Sequence, residues 1–187
     1  ETLNVVNTCY GNEIMKSLLP HLLEQLELCQ KSLSAYLETK RSEFPRFYFV
    51  SDPTLLEILS LGSDPPSVVP HFQSGLFDSL TTVTFDKIDK QKMLEMFSQQ
   101  GEKVEFEYPV DAKGNIEVWL QRLVDGMQET VKQIIKRAYR NVSEMELEDF
   151  LFGHPAQISL LGIQFQWTWD MQTGRLPRRT KPSCRRP

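Results

Sequence analysis

Two long runs of apolar residues at helical spacing dominate the chain. Between Lys16 and about Arg41, the residues Leu19, Leu22, Leu23, Leu26, Leu33 and Leu37 fall largely on one face, with Glu24, Glu27, Lys31, Glu38 and Lys40 mostly on the other. That pattern predicts an amphipathic helix of about seven turns, with Pro20 near its start. The second run follows Asn115, where Ile116, Leu120, Leu123, Met127, Val131, Ile134, Ala138 and Val142 recur at helical steps. At roughly 1.5–3 kcal/mol per large buried side chain, this stripe outweighs the cost of about 1 kcal/mol for the helix-interior Gly126. Such a helix needs a partner surface along its whole length.

Shorter signals fill the space between. Phe44-Pro45-Arg46-Phe47-Tyr48-Phe49-Val50 carries a proline and an aromatic run, which predicts an extended, buried segment. Asp52-Pro53 starts a short helix through Leu55, Leu56, Ile58 and Leu59 that Gly62 ends, and Asp64-Pro65 starts a second one through Val68 and Val69. A further helix is expected from Pro70 to Leu80, then a strand from Thr81 to Phe85. Residues 92–110 fit an antiparallel hairpin turning near Gly101, with Val104, Phe106 and Tyr108 facing inward, and residues 111–114 make the next turn. Ser143 and Glu146 form a capping box for a helix ending at Gly153, and Pro155 opens a last apolar segment to about Met171. The expected fold class is therefore mainly α with a small antiparallel β-hairpin. Residues 1–15 are expected to be an extended lead-in, residues 16–173 the folded body, and residues 174–187 a separate tail.

Charge sharpens that division. Of 21 basic residues, six lie in the tail (Arg175, Arg178, Arg179, Lys181, Arg185, Arg186), so the body carries 15 basic against 25 acidic residues, a net −10. An acidic body repels phosphate, which argues against nucleic acid as a partner. The tail has three prolines and one large apolar residue, Leu176, too little to order itself, and it reads as disordered or foreign to the fold. No stretch approaches the roughly 18 apolar residues of a membrane span, so a membrane is not an expected partner. Cys9, Cys29 and Cys184 are odd in number and far apart, which fits neither a disulfide framework nor a metal knuckle and points to a reducing compartment.

Catalytic motifs are missing. There is no phosphate-binding glycine loop ending in Lys-Ser or Lys-Thr, no nucleophile elbow, no zinc-binding H-E-x-x-H and no calcium loop. His21, His71 and His154 each adjoin a proline and read as caps or turns. Glu102, Glu105 and Glu107 could pair as acid and base, but their alternation with apolar residues marks a solvated strand face. Trp167 and Trp169 are expected to pack, not to stack on a ligand. No residue is expected to be catalytic, to hold a cofactor or to bind a metal.

One continuous stretch goes further. Tyr36-Leu37-Glu38-Thr39-Lys40-Arg41 runs into Phe44-Pro45-Arg46-Phe47-Tyr48-Phe49 and then into Leu55-Leu56-Glu57-Ile58-Leu59. It closely resembles the signature of dynein heavy chains. Three further pieces follow in the family's order. They are Pro70-His71-Phe72 before Phe77, residues 102–106 with Gly114 to Leu120 including Trp119, and His154-Pro155-Ala156-Gln157 leading to Gln164-Phe165-Gln166-Trp167-Thr168. The resemblance covers about residues 20 to 170, while residues 1–15 and those after Gly174 match poorly. Val50-Ser51-Asp52-Pro53 looks more like axonemal heavy chains, of the outer-arm gamma type, than cytoplasmic ones.

The resemblance implies a mechanical role. In this family the linker is a rod of helical bundles with a small β-hairpin, lying across an AAA+ ring and bending as nucleotide changes there. ATP would be bound by the ring of the full-length chain, not by this segment. The implied partners are the ring and the remaining linker of the same heavy chain, the dynein complex subunits and, indirectly, microtubules in an axoneme. A stand-alone axonemal scaffold using its basic tail on acidic tubulin surfaces is the other reading. Residues 16–42 and 115–142 would form long antiparallel struts. Phe44, Pro45, Arg46, Phe47, Tyr48 and Phe49 would be wedged between elements as an apolar pin, with Trp119 and Trp167 completing the structural signature.

Overall fold

A computed structural model describes residues 13–174 together with Val6 and Tyr10. The first helix, α1, runs from Glu13 to Glu43 with Pro20 inside it. It takes in the end of the expected lead-in. Val6 and Tyr10 are also helical, and the rest of that lead-in lies outside the described residues. A 3-10 turn at Pro45–Phe49 leads into α2 (Asp52–Ser60) and α3 (Pro65–Val68), and a second 3-10 turn covers Val69–Ser74. Three strands follow, β1 (Leu80–Phe85), β2 (Lys92–Ser98) and β3 (Lys103–Asp111). Then come α4 (Ile116–Asn141), α5 (Leu147–Gly153) and α6 (Ala156–Thr173). Gly174 closes α6 in the left-handed conformation, and the basic tail beyond it lies outside the described residues.

The expected hairpin gains a third strand. β1 pairs antiparallel with β2 and β2 with β3, in the order β1-β2-β3, with Gly101 at the β2–β3 turn. The β2–β3 ladder is not regular. Met93 pairs with Val110 and Glu95 with Glu105, so a step of two on β2 faces a step of five on β3, and residues 106–109 bulge out. The inward alternation expected from Val104, Phe106 and Tyr108 therefore fails at Tyr108, which is exposed, while Phe106 and Val110 are buried. Helix α4 compensates the disrupted ladder, because the backbone N–H of Glu107 donates to Oγ1 of the buried Thr130 at 3.1 Å.

Two apolar cores share α4. The larger joins α2, both 3-10 turns, the sheet and the first half of α4, with Ile116, Trp119, Leu120, Leu123 and Val124 buried in it. The smaller lies under the last turns of α4, where Ala138 meets Phe150 of α5 and Ile158 of α6. The stripe on α4 is thus partnered twice, by different elements, and Val131 between the two cores is exposed. Gly126 has a packing reason. A Cβ there would stand 2.5 Å from Cγ2 of Val110, so the helix backbone rests directly on β3.

Other expectations change in detail. The helix after residue 142 has Glu146 as its N-cap residue, and no side-chain cap bond is made, so the Ser143 capping box does not form. The last apolar segment is a helix, but it lies largely on the surface. Leu160, Phe165, Trp167, Trp169 and Met171 are exposed, and Trp167 does not pack as expected because few described elements flank the far side of α6. Among the described residues no helix is long and apolar enough to cross a membrane.

Gly126→Ala offers a test in which packing opposes helix propensity. Alanine favours a helix by about 1 kcal/mol, yet overpacking against Val110 costs typically 1–3 kcal/mol. A lower urea midpoint for the variant is expected; a higher one would mean that β3 does not rest on this turn.

Candidate functional site

The residues singled out from sequence converge where α1 joins the body. Proline at the first position of the turn fixes φ, and Phe44 stands just before it in an extended conformation. The segment then winds as a 3-10 turn and not as the extended strand expected from its aromatic content. The winding separates its side chains. Phe44 and Phe47 point inward, fully buried, their rings edge to face at 5.0 Å, and Val50 is buried beside them. Tyr48 and Phe49 point outward, with Phe49 76% exposed, so the pin consists of Phe44 and Phe47 and excludes Phe49. A turn with about three residues per cycle brings positions 44, 47 and 50 to one side, which the aromatic count alone did not reveal.

Two arginines and a tyrosine from the same stretch lock the turn. Arg41 donates to the carbonyls of Phe47 and Val50 at 3.4 and 3.3 Å and pairs with Asp52, so it spans the turn from the α1 side. Arg46 reaches the other way, donating to the carbonyl of Leu76 at 3.1 Å while its guanidinium lies 5.1 Å from the Phe77 ring centre. The Tyr48 hydroxyl donates to Glu38 at 2.6 Å, and this bond to a carboxylate raises the pKa of the phenol.

Lys40 ties α1 to α4. Its ammonium stands 2.7 Å from Glu117 and 2.8 Å from Glu43. Glu117 lies in the first turn of α4 and is buried, a pairing across 77 positions that helical periodicity cannot disclose. Burial works against the charged carboxylate of Glu117, but the Lys40 hydrogen bond and charge prevail and its pKa is lowered. The hydrogen bonds that Lys40 donates to Glu117 and Glu43 in turn raise its pKa above the ordinary lysine range. Two residues further on, Trp119 is fully buried, and its indole N–H donates to the carbonyl of Gly62 at 3.3 Å.

This end contact is the junction between the two long helices. They do not pack against each other along their length as struts would. Leu37 is the buried residue of α1, whereas Leu19, Leu22, Leu23, Leu26 and Leu33 are exposed. The remaining candidates stay apart. Glu105 bonds Lys103, Glu107 pairs with Arg137, and Glu102 reaches the start of α6, so no two of the three form an acid–base pair. His154 sits over the Phe150 ring, 4.6 Å between centroids, and His71 faces Glu57 at 4.0 Å. No metal-ligating cluster occurs among the described residues.

A family model described as dynein heavy chain, N-terminal region 2, matches residues 1–138, from the start of the chain to the last turns of α4. The chain belongs to the dynein heavy-chain family. It is 78% identical over 172 residues to the dynein gamma chain of the flagellar outer arm from Chlamydomonas reinhardtii. That alignment covers 92% of this chain and 4% of the relative. Dynein axonemal heavy chain 5 of Rattus norvegicus is 48% identical over 174 residues, covering 92% of this chain and 5% of that one. The ciliary dynein beta chain of Tripneustes gratilla is 41% identical over 150 residues, 78% of this chain and 3% of its own length. The chain thus corresponds to a small part of these heavy chains, and the junction built on Lys40, Phe47 and Trp119 lies inside the matched region.

Two measurements probe the junction. Phe47→Ala should lower stability by about 3–5 kcal/mol and Phe49→Ala by no more than about 0.5 kcal/mol, read from denaturation midpoints. Equal losses would contradict the turn geometry. Glu117→Gln should cost about 1–3 kcal/mol at neutral pH. Because the carboxylate pKa is lowered on folding, its contribution is complete above the ordinary glutamate value of about 4.3 and disappears as pH falls through the folded value. The gap between parent and variant should therefore narrow in acid, and a constant gap from neutral pH to about pH 3 would rule out the pair.

Proposed function

We propose that this chain is part of the mechanical linker of a dynein heavy chain in a cilium or flagellum. It would pass ATP-driven changes in an AAA+ ring to the tail and so serve microtubule-based movement. The observation that carries this reading is the state of α1. A helix of 31 residues is clamped to the body at its C-terminal end through Leu37, Lys40 and Arg41, and its apolar row from Leu19 to Leu33 is exposed. An amphipathic helix of that length is marginal without a surface to cover it. The rest of the heavy chain is the source of that cover, and the covered helix would join this body rigidly to its neighbour in the rod.

The partners on this reading are the remaining linker and ring of the same heavy chain and the other dynein subunits, with microtubules engaged indirectly. ATP is bound by the ring, outside this segment. What the residues here contribute is stiffness. The Phe44–Phe47 turn, the Arg41 clamp and the Lys40–Glu117 pair hold the angle at which α1 leaves the body. A densely packed core resists deformation, so a displacement at one end arrives at the other.

Replacing Leu22 and Leu26 by Glu separates this reading from a purely local role. In the 187-residue chain both positions are exposed, and the unfolding midpoint should shift by no more than about 0.5 kcal/mol equivalent. In the full-length heavy chain the same pair should slow microtubule gliding several-fold while nucleotide turnover continues. Gliding at the parent rate would overturn the proposal.

A further inference from the structure

The small second core meets the hairpin through a polar contact as well as through the shared helix α4. The α5–α6 pair buries only Phe150, Ser159, Ile158 and Gly162, and it meets α4 through Ala138 and its partly buried neighbours Ile134, Ile135 and Val142. The connection from α4 to α5, residues 143–146, is exposed. Close contact there comes from the backbone of α6, since a Cβ at Gly162 would collide with the Phe150 ring. That contact lies within the pair and does not orient it against the rest of the body.

The hairpin adds a polar contact to this apolar packing. Glu102, in the turn between β2 and β3, crosses to α6, where its carboxylate accepts the backbone N–H of Ala156 at 2.7 Å. Ala156 is the first residue of α6, and its N–H has no partner inside the helix, so a carboxylate there both satisfies the donor and meets the positive end of the helix dipole. The N-cap residue is Pro155, which has no side chain able to do this. The hairpin itself is braced on α4 by the Glu107–Arg137 ion pair at 2.9 Å and the Glu107 bond to Thr130. Up to Arg137, then, α4 and the sheet are fastened together. Beyond it, the α5–α6 pair is joined to the rest by the small apolar cluster, the edge-to-face contact of Phe165 with Tyr139 of α4 at 5.8 Å, an exposed connection and the Glu102 carboxylate.

We propose that Glu102 is a latch: by capping α6 from the hairpin turn it sets the angle of the α5–α6 pair to the sheet, and its release lets that pair pivot about residues 143–146. The inference rests on the geometry of this chain and holds whether or not the chain transmits force. Glu102 acts through the position of α6, so it is a positioning residue.

Paired spin labels on the 187-residue chain test this, with Cys9, Cys29 and Cys184 replaced by Ser. One pair, Thr82→Cys with Thr168→Cys, spans the latch from β1 to α6. A reference pair, Thr82→Cys with Ser60→Cys, stays within the larger core. Glu102→Ala should broaden the distance distribution of the first pair and leave the reference pair sharp. Glu102→Gln keeps an oxygen that accepts the Ala156 N–H and should restore the narrow distribution. A distribution unchanged in Glu102→Ala overturns the latch. Equal broadening of both pairs, or failure of Glu102→Ala to fold, also overturns it, because Glu102 would then support the whole body and not the angle of one end.

Discussion

The architecture depends on one constraint: a single helix, α4, must satisfy two cores at once. Its first half is sealed under the sheet by Trp119, Leu120 and Leu123, and its last turns carry Ala138 into a second cluster. Everything else is arranged around that shared member. β3 lies so close that only a residue without a side chain fits at position 126, and the bulge in β3 is tolerated because Thr130 on the helix takes over a ladder donor. The N-terminal turn of the same helix presents Glu117 to Lys40, so the departure of α1 is also referred to it.

That dependence explains which parts were legible beforehand. The α4 stripe, the short proline-led helices and the hairpin around Gly101 follow from periodicity and turn chemistry, which are local properties. The 3-10 winding of Pro45–Phe49 was not legible, because an aromatic run suits an extended segment as well as a turn and only the core decides which rings face it. Tyr108 departs from the expected inward position for a related reason, since the alternation around it is broken by the bulge that Pro109 accompanies. The pairing of the two long helices failed differently. Both have apolar stripes, but amphipathicity states that a face needs cover and not which surface supplies it.

The site was legible in its residues and not in its geometry. Phe44, Phe47 and Trp119 belong to the core of the junction, while Tyr48, Phe49 and Trp167 lie at the surface. The polar contacts that hold the junction, Lys40 with Glu117 and Arg46 with the carbonyl of Leu76, join residues far apart in the chain. A motif shared with a family marks such a segment well before its mechanics can be stated. Its aromatic composition drew attention to the right turn, and its two arginines turned out to carry the fastening.

The irregular third strand has a consequence for life at high protein concentration. A three-stranded sheet has two outer strands, each able to recruit a foreign strand through unpaired backbone groups. On β3 that recruitment is blocked from several directions: Pro109 lacks an N–H, the bulge breaks the even spacing of donors and acceptors, and the Glu107 N–H is already taken by Thr130. Molecules crowded side by side are thereby kept from zipping together along this edge, so the same distortion that seats the helix also guards against fibril growth.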